Sequence, residues 1–211
     1  MRRRAAWPLL PALAAALACE ITSPDRPAGY AFRSQPDNLV FHWNADRLPV
    51  RYWAEAKGAL PDYVDEGIRL WEDRFLYGEF EGTRVTDSTA MQVRVEIQGS
   101  APPAAPLTTA PPAAACDGRT TLTVGTDNRV ALPIVVILRW FAGFTAEQVA
   151  NCLARVTVHE IGHTLGLLQH SDQATDIMYG APLGLVQVRE PSLRDGASAQ
   201  RLYHTTSDVT P

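Results

Sequence analysis

The sequence predicts an α+β fold, in which helices pack on a mixed β-sheet. Three observations indicate this class: short runs alternate apolar and polar residues, two longer runs carry apolar residues at helical spacing, and both kinds of run are intermixed along the chain. Hydrophobic residues make up 46% of the 211 positions, which is enough for a core, and the length favours one domain plus extra segments. The net charge of −4 gives no indication that the protein binds nucleic acid.

The first eighteen residues are expected to be a signal peptide and not part of the fold. The basic start MRRR precedes a short apolar run that ends in small residues, as secretory signals do. A transmembrane helix is the alternative, but the run is too short for one and contains Pro8 and Pro11. The following ALAC resembles the lipobox of bacterial lipoproteins, which implies a lipid on Cys19; plain cleavage after Ala18 is the alternative.

These features predict an exported protein that is anchored by lipid at the outer membrane or cell surface, or is otherwise secreted or periplasmic. Residues 19–38 are polar and proline-rich and should form the lipidated N-terminus and a linker. One domain is then expected over 39–205, with a tail over 206–211. Cys116 and Cys152 remain in the exported domain and are candidates for a disulfide, with two free thiols as the alternative.

Strands and a first helix are predicted in the first half of the domain. LPVRYWAE at 48–55 and MQVRVEIQ at 91–98 alternate apolar residues with others and should be strands. Between them, residues 61–77 carry apolar residues at helical spacing, with Pro61 in the first turn, and predict a helix. The proline-rich run over 101–116 predicts an irregular surface loop.

Two more strands are predicted after this loop. TTLTVG at 120–125 is a possible edge strand, and VALPIVVILRW at 130–140 is the other, with Pro133 marking a bulge or the start of the strand. Because Ile134–Leu138 is continuously apolar, we expect this stretch to be buried on both faces of the sheet.

The remaining predicted elements are helices. The run over 145–166 has two apolar stripes and only a narrow polar side, which predicts a helix buried in the centre of the domain. Thr145, with Gln148 three residues later, matches a capping box, and Gly166 is expected to end the helix. A last helix is predicted over 192–204.

The motif HEIGH lies on the central helix and predicts a metal site. His159 and His163 are four residues apart, so their side chains lie about 40° apart around the helix and about 6 Å apart along it. Both imidazoles can therefore bind one zinc ion. Glu160 is placed to take a proton from a zinc-bound water without being a ligand itself.

Two histidines leave a zinc site one protein ligand short. The candidates that follow in the sequence are His170, Asp172, Asp176 and Glu190. The chain has five histidines, and three of them, ending with His170, fall within twelve positions. The other two, His42 and His204, are expected to be ordinary surface or core residues.

The stretch HEIGHTLGLLQHS, with DIMYG after it, resembles the metzincin clan of zinc metalloproteases, and the matrixins most closely. The family pattern is H-E-x-x-H-x-x-G-x-x-H followed by a Met-turn. Four residues match the histidine pattern directly, namely His159, Glu160, His163 and Gly166, and Met178 fits the Met-turn. The resemblance is specific only over 159–180. It implies a zincin fold with a mixed twisted sheet, a first helix, a central active-site helix, the Met-turn and a C-terminal helix.

The third histidine departs from this pattern, because GLLQH places it one residue later than the family's G-x-x-H. The extra residue falls after the helix, where a loop can bulge, so His170 remains the expected third ligand. Asp172 is the second choice, since some related proteases use aspartate there. Gln169 occupies the family's position but is a poor zinc ligand, because its amide oxygen is neutral.

The resemblance implies a zinc endopeptidase that hydrolyses internal peptide bonds with a water activated by one catalytic Zn²⁺ and by Glu160; it leaves structural calcium open. The implied substrate is a protein or peptide that lies as an added strand along a sheet edge, and a monomer is expected. Two alternatives stay open: a surface lipoprotein that is a binding module with a structural or vestigial zinc site, and a zinc hydrolase of cell-wall peptides. The intact Glu160 favours catalysis, since a structural zinc site does not need this carboxylate.

Overall fold

The computed structural model describes residues 28–180 and 188–211 of the chain. The signal peptide predicted over 1–18 and the lipidation predicted at Cys19 lie outside these residues. Among the helices of the described part, none is long and apolar enough to cross a membrane.

The described residues form a five-stranded mixed sheet with three α-helices, which confirms the predicted α+β class. After a 3₁₀ helix (Ala45–Arg47), the elements in chain order are β1 (Val50–Ala54), α1 (Leu60–Glu72), β2 (Gly82–Val85), β3 (Val93–Ile97), β4 (Cys116–Thr121), β5 (Ile134–Trp140), α2 (Ala146–Leu165) and α3 (Leu193–Tyr203). The strand order across the sheet is β2-β1-β3-β5-β4, and each neighbouring pair is parallel except β5 with β4. β4 is therefore an antiparallel strand at one edge.

Two differences from the predicted elements lie near α1. The helix ends at Glu72 and not at residue 77, although Phe75 continues its apolar spacing. The Phe75 ring packs against Phe80 and Tyr203 from the turn that follows the helix, so its burial does not require another helical turn. No sequence pattern predicts β2, because its four residues are half-buried or exposed and show no apolar alternation.

β4 and β5 also differ from the sequence-based expectations. β4 begins at Cys116, four residues before the predicted run over 120–125. The expectation that β5 is buried on both faces is wrong: Ile134 and Leu138 are fully buried, but Ile137 is 37% exposed. Only one face of β5 is covered by the core, and the apolar residues on its other face reach the surface.

The central helix α2 is fixed in the core by two tryptophans from other parts of the chain. The indole N–H of Trp71, on α1, donates to the carbonyl oxygen of Val158 at 2.8 Å. The indole N–H of Trp43 donates to the carbonyl oxygen of Thr164 at 2.9 Å. All four residues are buried, and such bonds are strong where water is excluded. The half of α2 that carries the HEIGH motif is therefore held firmly against its neighbours.

The ends of α2 are formed as predicted. The Thr145 side chain accepts from the backbone N–H of Gln148, and the Gln148 side chain accepts from the backbone N–H of Thr145. Gly166 ends the helix at φ 108°, in the left-handed region. A β-carbon on Gly166 would also collide with the carbonyl oxygen of Phe41. The chain can therefore turn back beneath the helix only with glycine at this position.

Gly166→Ala is expected to lower the free energy of unfolding more than Gly143→Ala does. Both glycines have left-handed backbone, with φ 93° at Gly143, but a β-carbon on Gly143 meets no atom within 4 Å. Gly143→Ala should lose about 1–2 kcal/mol from backbone strain alone, and Gly166→Ala should lose more because of the contact with Phe41. Urea unfolding with a metal chelator present measures both values without a contribution from metal binding. Equal losses would show that the Phe41 contact is relieved at no cost.

The packed domain begins before residue 39, where the sequence placed its start. Tyr30 and Phe32 are buried in the core, and the Tyr30 hydroxyl donates to Asp195 of α3 at 2.7 Å. Two aromatic side chains thus anchor a segment whose overall composition is that of a linker. At the other end, the predicted tail packs on the domain, because Val209 is buried.

Cys116 and Cys152 form a disulfide, with their α-carbons 5.8 Å apart. Cys116 is the first residue of β4, and Cys152 lies in the first half of α2. The bond therefore ties the edge strand of the sheet directly to the central helix. The disulfide limits how far β4 and α2 can move apart, and the candidate site described below is lined by both elements.

Candidate active site

His159 and His163 project from the same side of α2. Their ring centroids are 4.8 Å apart and the two rings are nearly perpendicular, at 86°. His159 is buried and His163 is half-buried. The four-residue spacing thus presents two imidazoles to one point in space, as the helical geometry predicts.

The structure brings His170 to the same point in spite of the extra residue before it. The ring centroid of His170 lies 5.2 Å from that of His159 and 5.1 Å from that of His163. The ligand nitrogens of the three histidines all lie within 4.8 Å of one another. Residues 167–169 take up the insertion after Gly166. The next residue, Ser171, is held by a backbone hydrogen bond of 2.8 Å from its N–H to the carbonyl oxygen of Met178.

Hydrogen bonds orient two of the rings. The Nδ1 atom of His159 lies 2.7 Å from the carbonyl oxygen of Ile177, and Nδ1 of His163 lies 2.6 Å from that of Leu167. A carbonyl oxygen only accepts, so each Nδ1 carries the proton and each Nε2 presents a lone pair. Burial also lowers the pKa of all three histidines, and of His159 most strongly, which favours the neutral form that binds metals.

The donor set fits zinc. Two zinc ligands at about 2.0–2.1 Å and a tetrahedral angle are separated by about 3.3–3.4 Å. The Nε2 atoms of His163 and His170 are 3.3 Å apart. The site offers three nitrogen donors, which is the number of protein ligands in catalytic zinc sites.

The other candidate ligands are engaged elsewhere. Asp172 accepts from Arg194 at 2.9 Å, and Glu190 lies 3.5 Å from Arg74. Asp176 is buried and accepts hydrogen bonds from serine side chains, one of them Ser192 at 2.6 Å. Among the residues that the structure describes, the group of potential metal ligands consists of the three histidines alone.

Glu160 is buried beside the histidines and is held by β4. The Thr120 hydroxyl donates to Oε2 of Glu160 at 2.6 Å. Two residues earlier on the same face of β4, a β-carbon on Gly118 would lie 2.7 Å from Oε1 of Glu160. Thr120 thus binds one carboxylate oxygen, and Gly118 leaves room for the other.

The environment of Glu160 suits a group that takes up and releases a proton. Burial raises the pKa of its carboxyl to about 7, against the lowering effect of the Thr120 hydrogen bond. A cation held by the three histidines acts in the same direction as that hydrogen bond and favours the carboxylate. A base with a pKa near the working pH is effective in both directions of proton transfer.

Met178 lies beneath the metal site and is fully buried. A β-carbon on Gly162, between the first two histidines, would collide with its sulfur. Asp195 accepts from the backbone N–H of Ile177 at 2.8 Å and so fixes the turn that contains Met178. Met178 therefore supports the site by packing, and the same turn supplies the carbonyl oxygen that orients His159.

A cleft of about 440 Å³ lies over these groups. Its walls come from β4, from α2 and from the segment after Met178, where Tyr179 and Gly180 contribute. β4 has a strand neighbour on one side only, within the described sheet. The cleft therefore runs along a sheet edge with the three histidines and Glu160 at its floor.

Sequence reasoning missed three residues of this site: Gly118, Thr120 and Arg155. Gly118 lies before the run over 120–125 that predicted the edge strand, and Thr120 is the first residue of that run. No sequence pattern therefore indicated that the two residues lie on the same face of one strand. Arg155 stands one helical turn before His159, on the narrow polar side of the helix that also carries Gln148 and Asn151. That position was a signal in the sequence, because a helix residue four places before a ligand lies on the same face.

Gly118→Ala is expected to lower kcat about 10- to 100-fold for the peptide hydrolysis that the HEIGH motif implies, because it would displace the Glu160 carboxylate. A β-carbon there would also come within 2.6 Å of a methyl group of Val156, so the strand or the helix must shift. Gly196→Ala is the matched control, because the nearest atom to its β-carbon, on Arg74, would be 3.5 Å away. Initial rates and zinc content are measured for both variants. Unchanged kcat in Gly118→Ala would show that the position of the carboxylate is not critical.

The residues of this site lie within a stretch of sequence that matches a known protein family. A family model described as Matrixin matches residues 81–204, which is more than half of the 211-residue chain. The matched range runs from just before β2 to the end of α3 and includes the three histidines, Glu160 and Met178. No curated protein matches the sequence.

Proposed function

This chain belongs to the matrixin family of zinc metalloproteases, and we propose that it is an endopeptidase that hydrolyses internal peptide bonds of proteins or peptides. One observation carries the proposal: three histidine nitrogens converge within 4.8 Å of one another, next to a buried carboxylate, at the floor of an open cleft. A purely structural zinc site would need neither the open cleft nor Glu160.

The proposed mechanism divides the chemistry between a metal and this chain's own residues. His159, His163 and His170 would hold the zinc, which, when bound, supplies Lewis-acid activation of the attacking water and the substrate carbonyl. Glu160 takes a proton from that water and then delivers it to the nitrogen of the leaving amine. Thr120 keeps one oxygen of Glu160 in place throughout, so that the other is free for proton transfer.

For substrate binding we propose that an extended peptide adds to the free edge of β4. Main-chain hydrogen bonds to an edge strand give affinity without requiring a particular sequence. β4 forms one wall of the cleft, so a peptide along it would pass directly over Glu160 and the histidines.

The direct test is cleavage of casein and of a quenched fluorescent peptide library by the purified protein. We expect internal cuts that stop on addition of a chelator and resume when zinc is returned. Mass spectrometry of the products distinguishes internal cuts from removal of terminal residues. Absence of cleavage in protein with a full complement of zinc would refute the protease proposal.

For location we propose export and attachment through a lipid on Cys19. The proposal is supported by the leader-like sequence over 1–18 and agrees with the disulfide, a bond typical of oxidising compartments. In a bacterial host, the wild-type protein should incorporate a labelled fatty acid and sediment with membranes, and Cys19→Ser should do neither. An unlabelled wild-type protein in the soluble fraction would contradict the lipid anchor.

A further inference from the structure

A buried arginine stands in the wall of the cleft and has no role in the mechanism above. Arg155 lies on α2 one turn before His159, on the same side of the helix, and is 7% exposed. It lines the cleft together with His159, Glu160 and Tyr179. A charged side chain this deeply buried needs an explanation, because arginine is seldom buried without a partner.

Within the described residues, the hydrogen bonds of Arg155 do not satisfy its guanidinium. Its Nη2 atom lies 3.4 Å from the carbonyl oxygen of Ile177 and 3.5 Å from that of Tyr179, both long for hydrogen bonds. Its Nε atom is buried and has no partner among the residues that the structure describes.

Arg155 also lacks an ion-pair partner in the described part of the chain. The carboxylates of Asp195 and Glu160 attract it through space, but neither lies within ion-pair distance. Residues 181–187, which follow the cleft residue Gly180, include no acidic residue.

The positive charge of Arg155 persists in spite of its burial. Burial lowers the pKa of its guanidinium to about 10, so the group remains protonated at neutral pH. A buried cation without a counter-ion is unfavourable, and a carboxylate that reaches it gains both charge attraction and hydrogen bonds. Arg155 is thus the cationic half of a possible ion pair, and it lies in a cleft where a bound peptide can supply the carboxylate.

We propose that Arg155 determines specificity by binding a carboxylate of the substrate at a residue next to the scissile bond. The proposal rests on the protease function proposed above and adds the class of substrate, a peptide with glutamate or aspartate beside the cut. The same carboxylate chemistry could come from the C-terminus of a peptide, so the test must separate these two sources.

The experiment uses peptides that differ in one residue. Glu, Gln and Leu are placed in turn at each of three positions on either side of a cut found in the library, each peptide with an amidated C-terminus. We expect Glu to exceed Gln in kcat/KM about tenfold or more at one position adjacent to the cut, the usual effect of a charge-assisted hydrogen bond. A parallel set with free C-termini reports whether a terminal carboxylate serves instead.

Substitutions of Arg155 test whether this residue causes the preference for Glu over Gln. Arg155→Met should abolish the preference for Glu over Gln, and Arg155→Lys should keep part of it. Arg119→Met is the matched control, because Arg119 also lines the cleft but is exposed on β4, and this variant should keep the preference. Arg155→Met should not lower the melting temperature of the metal-free protein, because an apolar chain replaces a buried cation without a counter-ion.

The results distinguish failure of the Arg155 proposal from failure of the protease proposal. Metal-dependent cleavage with equal rates for Glu and Gln at every position would overturn the role of Arg155 and leave the protease function standing. A preference seen only with free C-termini, a preference that survives in Arg155→Met, or a preference lost equally in Arg119→Met would also overturn it. So would a fall of several degrees in the melting temperature of Arg155→Met with unchanged specificity, which would assign Arg155 to structure. Complete absence of metal-dependent cleavage would overturn both proposals.

Discussion

Glu160→Gln is expected to lower kcat for peptide hydrolysis about 10²- to 10⁴-fold while zinc remains bound. Glutamine has nearly the same shape, and its carbonyl oxygen can still accept the hydrogen bond from Thr120. It cannot take up a proton from water at neutral pH, so the general base is lost and the three histidines are not disturbed. Steady-state rates on a fluorescent peptide and metal analysis of the same sample give both values.

A control for this substitution is Glu66→Gln, which removes a carboxylate from an exposed ion pair with Arg69 on α1 and should leave both rate and zinc content unchanged. Loss of zinc together with activity in Glu160→Gln would mean that this carboxylate is a ligand. Activity close to that of the wild type would mean that another group is the base.

His170→Ala is expected to weaken zinc binding more than about 100-fold and to abolish hydrolysis. Removing residues that merely orient the ligands already costs 10- to 100-fold in affinity, and removing a ligand should cost more. Asp172→Ala is the matched control, because Asp172 lies two residues later in the same loop and pairs with Arg194. Competition with a chromophoric zinc chelator measures both affinities.

This pair of variants also decides how the extra residue before His170 is accommodated. Retained zinc affinity in His170→Ala, with loss in Asp172→Ala, would show that the loop rearranges around the metal and that aspartate is the third ligand. Retention in both variants would mean that two histidines and a different group suffice.

Local sequence signals predicted the central helix well. The cap at Thr145 and Gln148 and the left-handed turn at Gly166 depend on residues within a few positions, so the sequence contains what determines them. The same holds for the convergence of His159 and His163, which follows from helical spacing alone. The position of His170 required one more argument, that a loop can absorb an extra residue that a helix cannot.

Features that depend on distant contacts were predicted less well. β2 carries no apolar alternation, since it is recognised only by its pairing with β1. The two-sided burial expected for β5 failed at Ile137, because an apolar run does not reveal whether the second face of a sheet is covered. Thr120 meets Glu160 across 40 residues of sequence, and no spacing rule connects a strand residue to a helix residue at that distance.

The most direct test of the three-histidine zinc site is the position of zinc in a crystal of the protein, located by anomalous scattering at the zinc absorption edge. We expect one strong peak about 2.0–2.1 Å from a ring nitrogen of each of His159, His163 and His170, with Glu160 close by but outside ligand distance. A peak away from these three rings, or a peak at His159 and His163 with the His170 ring turned away, would contradict the three-histidine site on which the proposed function rests.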